Sequence, residues 1–107
     1  MMSKLKKAVT QLVLDEYGLA SEQYGEKHHT PHEGYAVILE EFEEAQHEER
    51  ILEDKLEDFW EGAKADSELA CKLNAKTIKE RAINAACEMI QVAAMAHKAL
   101  RGYEVER

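Results

Sequence analysis

The sequence predicts an all-α protein, built as a bundle of three to four long helices. Apolar residues recur at steps of three and four positions along the chain, and no segment alternates β-branched residues with the period of a strand. One proline and five glycines in 107 residues leave few interruptions. A chain of this length with 45% apolar residues can build one modest core, so we predict a single helical domain over residues 1–107.

The first helix is predicted from the apolar residues that recur between Leu5 and Tyr24. Ser3 is a candidate N-cap, and Gly25 is expected to end the helix. Gly18 lies inside this segment, where a glycine costs about 1 kcal/mol relative to alanine.

The second helix has the clearest start signal in the chain. Thr30 is placed as N-cap, Pro31 takes the first helical position, and Glu33 completes a capping box. We predict that this helix runs to Glu61 and ends at Gly62. Its apolar stripe comprises Tyr35, Ile38, Leu39, Phe42, Ala45, Leu52, Leu56, Phe59 and Trp60.

The third helical segment is predicted to begin near Ser67 and to end before Gly102. Thr77 and Glu80 have the spacing of a second capping box inside it. The sequence therefore leaves open whether this segment is one helix or two.

Self-association is predicted from the second and third helices. At 1.5 Å per residue the second helix would be roughly 46 Å long, which exceeds the width of a compact monomer of this size. Residues 82–100 are apolar around most of the helix circumference, a pattern typical of a helix buried on several sides. We therefore expect homo-oligomerisation to complete the bundle, most simply as a two-fold dimer.

The composition restricts the other partners and the location. Fourteen basic and 22 acidic residues give a net charge of −8, which repels nucleic acid and anionic lipid, so neither is expected as a partner. No run of about 18 uncharged apolar residues predicts a membrane span. Cys71 and Cys87 lack disulfide-framework spacing, and the N-terminus lacks the pattern of a signal peptide. We expect a soluble cytoplasmic protein with reduced thiols.

The second helix carries an acidic strip along the edge of its apolar stripe. Glu41, Glu44 and Glu48 follow one another at i, i+3 and i+7. Like charges at these spacings destabilise a helix by a few tenths of a kcal/mol per pair, so a compensating charge is expected. Two sources remain open: a bound divalent cation, or Lys or Arg from a neighbouring helix.

A second polar strip lies on the otherwise apolar third helix. Asn84, Glu88 and Gln91 share one face at i, i+4 and i+7. A buried carboxylate needs a partner, and the acidic strip of the second helix would supply one through a shared cation. Carboxylate and amide oxygens suit Mg²⁺ or Mn²⁺, so the two strips, facing each other, would concentrate ligands for such a cation.

The acidic residues also form a recognisable motif. The segment YAVILEEFEEA contains EExxE as Glu40, Glu41 and Glu44, and Glu88 with Gln91 stands where an ExxD would follow. This arrangement resembles the all-α nucleoside triphosphate pyrophosphohydrolases of the MazG type. In that family the second and third glutamates of EExxE and both acids of ExxD hold the Mg²⁺ that binds the triphosphate and helps to activate water. The resemblance implies catalytic roles for Glu41, Glu44 and Glu88, a nucleoside triphosphate substrate, and the release of pyrophosphate and a monophosphate.

Gln91 departs from the family pattern. A glutamine in place of the aspartate exchanges a charged ligand for a neutral carbonyl, which holds a hard cation less strongly. We expect Asn84 and Gln91 to assist at the metal site that the resemblance places on Glu41, Glu44 and Glu88. Glu48 is the metal ligand that we would expect to replace the missing donor. Two functions stay open: a Mg-dependent pyrophosphohydrolase, and a non-catalytic helical interaction protein of the same fold.

Three histidines surround the start of the second helix. His28, His29 and His32 have the position to contact phosphate at a helix N-terminus or to bind a transition metal. The simpler interpretation, an exposed polar loop before the cap, is favoured. Glu44 and His47 form one ExxH, but a di-iron site needs two such pairs on different helices.

Overall fold

The computed structural model describes residues 2–105 of the chain and consists of three helices. Helix α1 spans Met2–Tyr24, α2 spans Pro31–Lys64 and α3 spans Glu68–Val105. No strand occurs in this part of the chain, so the all-α prediction is confirmed. No helix within the same residues is long and apolar enough to cross a membrane.

Helix α1 ends where the sequence predicts. Gly25 has a φ of 92° and donates its N–H to the carbonyl oxygen of Ser21 at 3.0 Å. A left-handed residue directly after the last turn is the usual helix stop, and glycine adopts this conformation at no steric cost. Ser3 lies inside α1, so its predicted role as N-cap is wrong.

Helix α2 begins with the predicted cap. Thr30 Oγ1 accepts the N–H of Glu33 at 3.1 Å, and Pro31 is the first helical residue. In a standard capping box the Glu33 carboxylate would accept the backbone N–H of the N-cap residue Thr30. Here it accepts the N–H of the preceding residue, His29, at 3.3 Å.

Helix α2 does not end at Gly62 but continues to Lys64, two residues beyond that glycine. The turn forms at Asp66, whose φ is 52°, and the N–H of Ser67 bonds the carbonyl oxygen of Gly62 at 2.9 Å. Gly62 serves close packing: a Cβ there would lie 3.1 Å from the Cβ of Ala70 on α3. The predicted stop at Gly62 is wrong because a helix stop and close helix packing both favour a residue without a side chain.

Helix α3 is one helix of 38 residues. It begins next to Ser67, as predicted, and the Ser67 Oγ caps it by accepting the N–H of Ala70 at 3.2 Å. Thr77 does not break the helix, because its hydroxyl donates to the Leu73 carbonyl oxygen at 3.2 Å within the preceding turn. The predicted end before Gly102 is wrong, since an interior glycine weakens a helix without removing its hydrogen bonds.

The chain divides into two compact units. The first, called here the three-helix unit, comprises Met1–Phe42 and Glu88–Arg107; the second, the hairpin unit, comprises Glu43–Cys87. In the three-helix unit Ala94, Met95 and Lys98 are buried, and in the hairpin unit Ala45 is buried. Single-domain organisation stays a prediction.

Much apolar surface stays exposed on the described helices. The exposed large side chains include Leu5, Leu12 and Leu19 on α1, Tyr35 and Trp60 on α2, and Leu69, Ile83 and Leu100 on α3. Homo-oligomerisation would cover such surface and likewise stays a prediction.

Candidate metal centre

Glu41 and Glu88 approach each other from two helices of the three-helix unit. A carboxylate oxygen of Glu41 lies within 4.8 Å of one of Glu88, and both residues are half-buried. Glu44, one turn further along α2, is exposed and brings an oxygen within the same 4.8 Å of Glu41. We call Glu41, Glu44 and Glu88 the acidic cluster.

Helical spacing explains why Glu41 and Glu88 meet. On α2, Glu41 follows the buried Gly34 by seven positions, so the two share one face. On α3, Glu88 precedes the buried Met95 by seven positions and likewise lies on the packed face. Both carboxylates therefore lie on buried faces of their helices within the three-helix unit.

The chemistry of the acidic cluster fits a hard divalent cation. Mg²⁺ and Mn²⁺ take carboxylate oxygens as ligands, and the oxygens of Glu41 and Glu88 lie close enough to share one ion. Glu41 and Glu88 are thus residues of the three-helix unit that could hold a metal, and Glu44 stays a predicted ligand.

Gln91 has a partner that sequence reasoning missed. Its side-chain amide donates to Oε2 of Glu16 on α1 at 2.8 Å. Glu16 is the charged member of the apolar stripe of α1, which was the available signal that it faces another helix. The role of Gln91 as a metal ligand stays a prediction.

Glu48 obtains its compensating charge from a neighbouring helix. In the hairpin unit Arg81 Nη1 lies 3.1 Å from Glu48 Oε2, and the Glu48 side chain is 17% exposed. The sequence left open whether a bound cation or a basic residue of a neighbouring helix compensates this strip; at Glu48 the basic residue Arg81 is present. Asn84, expected to assist at the metal, is exposed on α3. As metal ligands Glu48 and Asn84 stay predictions.

The histidines near α2 differ from one another. His29, His32 and His47 are exposed, whereas the side chain of His28 is 5% exposed. The exposed-loop interpretation is therefore wrong for His28. Its ring packs against Gly34, where a Cβ would lie 3.1 Å from His28 Cδ2, so the glycine makes room for the imidazole.

Comparisons with protein-family models, with curated proteins and with solved structures find no significant match for this chain.

Proposed function

We propose that the acidic cluster binds Mg²⁺ or Mn²⁺ and that the protein hydrolyses a nucleoside triphosphate to a monophosphate and pyrophosphate. The observation that carries the proposal is the approach of Glu41 and Glu88, from different helices, to within 4.8 Å. The EExxE motif that contains Glu41 and Glu44 supports it through the resemblance to the MazG type.

The proposed chemistry requires little beyond positioning and charge. Water would attack the α-phosphorus, and the bond from that phosphorus to the oxygen bridging to the β-phosphate would break. A divalent cation supplies neutralisation of the phosphate charges and activation of water. Glu41, Glu44 and Glu88 would be the residues that hold the cation.

The test is pyrophosphate release from a panel of ribo- and deoxyribonucleoside triphosphates with Mg²⁺ or Mn²⁺. Glu41→Gln and Glu88→Gln should each abolish metal-dependent release while keeping side-chain shape. Glu43→Gln is the matched control, because Glu43 belongs to the same acidic run but is exposed and outside the acidic cluster. Release that survives both substitutions, or that does not need a metal, would contradict the proposal.

A non-catalytic interaction protein is the second candidate function. The observation that favours it is the exposed apolar surface on all three helices, which a homodimer would cover. Sedimentation equilibrium tests the dimer directly. A folded dimer that releases no pyrophosphate from any triphosphate would favour this second function over the first.

A cytoplasmic location completes the proposal. Both cysteines, Cys71 and Cys87, are free thiols, which is typical of proteins kept in a reducing compartment.

A further inference from the structure

Helix α1 begins with a stretch that packs little against the rest of the described chain. Every residue from Ser3 to Leu12 is exposed, whereas the second half of α1 contains half-buried residues such as Val13, Glu16 and Tyr17. Helices in proteins owe most of their stability to the packing of an apolar face, and short helices without it are marginal in water. The first half of α1 therefore needs contacts that residues 2–105 do not supply.

Three exposed leucines form a stripe along α1. Leu5, Leu12 and Leu19 are 57%, 49% and 59% exposed, and they follow one another at steps of seven residues. A seven-residue apolar repeat keeps its members on one helix face and is typical of a helix that pairs with another helix. We call these three residues the leucine stripe. It is about 21 Å long and belongs wholly to the three-helix unit.

The charges of α1 are separated along its length. Its basic residues all lie in the first half and its acidic residues all lie in the second half. The basic residues are Lys4, Lys6 and Lys7, and the acidic residues are Asp15, Glu16 and Glu22. None of the three lysines takes part in an ion pair within the described residues. Two parallel copies of α1 would bring like charges together, whereas two antiparallel copies would place each basic half against an acidic half. The charge pattern therefore favours an antiparallel pair.

The leucine stripe defines how two antiparallel copies would align. With a two-fold axis beside Leu12, that residue meets its own equivalent, and Leu5 meets Leu19 of the second copy. Lys4 directly precedes Leu5, and Glu22 follows Leu19 by three positions, so at about 100° per residue both lie on the same side of the stripe. In this alignment Lys4 would lie within about 3 Å, measured along the helix axis, of the level of Glu22 of the second copy. Each end of the pair would therefore bring two opposite charges together.

We propose that α1 is the contact surface for a second copy of this chain: two α1 helices pair antiparallel, with their leucine stripes in contact and Lys4 beside Glu22 of the other copy at both ends. This interface rests on the homodimer of the second candidate function, to which it gives a defined position and direction. It is independent of metal-dependent hydrolysis, because none of these residues belongs to the acidic cluster.

Sedimentation equilibrium of the full chain at low salt measures the dissociation constant of the dimer. Leu12→Gln removes the central leucine from both copies at once, and we expect it to raise this constant about hundredfold, as for central residues of other interfaces. Leu14→Gln is the matched control, because Leu14 is 42% exposed but lies two positions from Leu12 and thus on the far side of α1. This control should leave the constant unchanged. Circular dichroism verifies that both variants keep their helices.

Two charge reversals test the direction of the pair. Lys4→Glu and Glu22→Lys should each raise the dissociation constant about fivefold at low salt, because each puts like charges together at both ends of the interface. The double variant Lys4→Glu, Glu22→Lys should return the constant to that of the native chain, since it restores opposite charges at the same places. High salt should reduce all of these differences. In a parallel pair Lys4 would face its own equivalent, so neither reversal would weaken the dimer.

The outcomes separate this interface from the rest of the proposed function. A chain that stays monomeric would overturn the interface together with the homodimer of the second candidate function. A dimer that Leu12→Gln weakens no more than Leu14→Gln would overturn the interface alone, and so would a double charge variant that dimerises no more tightly than the single ones. Pyrophosphate release is measured separately and depends on none of these results.

Discussion

The side-chain amide of Gln91 on α3 donates a 2.8 Å hydrogen bond to the carboxylate of Glu16 on α1. Both residues are half-buried, and an amide donor is what a carboxylate in such a place needs. A carboxylate at position 91 would face Glu16 with a second negative charge. The glutamine that departs from the ExxD pattern is therefore matched to its neighbour in this chain.

Exchange of the two groups gives the first prediction. Gln91→Glu should destabilise the fold by about 1–2 kcal/mol, because it replaces a hydrogen bond by repulsion between two half-buried carboxylates. The double variant Glu16→Gln, Gln91→Glu should recover most of this loss, since it restores one donor and one acceptor. Urea unfolding measures both changes, and Glu22→Gln on the exposed side of α1 is the control. A double variant no more stable than Gln91→Glu would show that the pair does not stabilise the unit.

The ion pair between Arg81 and Glu48 gives a second prediction, confined to the hairpin unit. Arg81→Gln should cost about 1 kcal/mol, above the average for exposed pairs, because the Glu48 side chain is only 17% exposed. The loss should shrink in high salt, which screens the charges. Lys79→Gln, an exposed neighbour on α3, should change the free energy of unfolding far less. Thermal unfolding at low and high salt measures the loss of stability in both variants. Equal losses in Arg81→Gln and Lys79→Gln would contradict a stabilising ion pair between Arg81 and Glu48.

Metal binding gives a third prediction that does not depend on finding the substrate. A cation that binds only the folded chain stabilises it by about 2.7 kcal/mol at a hundredfold excess over its dissociation constant. We expect Mn²⁺ to raise the melting temperature of the native chain and of Glu43→Gln, but not of Glu88→Gln. Differential scanning calorimetry with and without EDTA measures the shift. An equal shift in Glu88→Gln would place the bound ion elsewhere.

Replacing each of two glycines by alanine gives a fourth prediction: one variant should be less stable than the native chain and the other more stable. At Gly62 a Cβ would lie 3.1 Å from the Cβ of Ala70, so Gly62→Ala should destabilise by about 1–2 kcal/mol through overpacking. At Gly18 nothing lies within 4 Å of such a Cβ, so Gly18→Ala should stabilise α1 by roughly 0.5–1 kcal/mol. Chemical denaturation of both single variants tests the pair. If Gly62→Ala left the free energy of unfolding unchanged, α2 and α3 would be able to move apart at this contact at little cost.

The start and stop signals of the helices were readable in the sequence because they act locally. Thr30, Pro31 and Gly25 work through hydrogen bonds and backbone angles within a few residues, and the structure has each in its predicted role. Gly62 and Gly102 were misread for the same reason: a local pattern does not say whether a glycine ends a helix, sits inside it or makes room for a neighbour.

The helix faces that carry the acids of the candidate site were also predictable from local spacing. The helical period placed Glu41 and Glu44 on one strip and Glu88 on another, and a costly half-buried carboxylate made their approach an expectation. The partners of Gln91 and Glu48 were not predictable, because Glu16 and Arg81 lie far away along the chain.

The sequence by itself determined the helical class, the Thr30 cap of α2, the Gly25 stop of α1 and the helix faces on which the acids lie, since these follow from hydrogen bonds and spacing within single helices. Only the tertiary structure decided which carboxylates meet, that Glu16 accepts a hydrogen bond from Gln91 and Glu48 pairs with Arg81, and that His28 lies buried beside a cavity. Those outcomes depend on how far each helix rotates and slides against its neighbour. A shift of one residue turns a helix face by about 100°, so the packing of whole helices, summed over many weak contacts, chooses the partners.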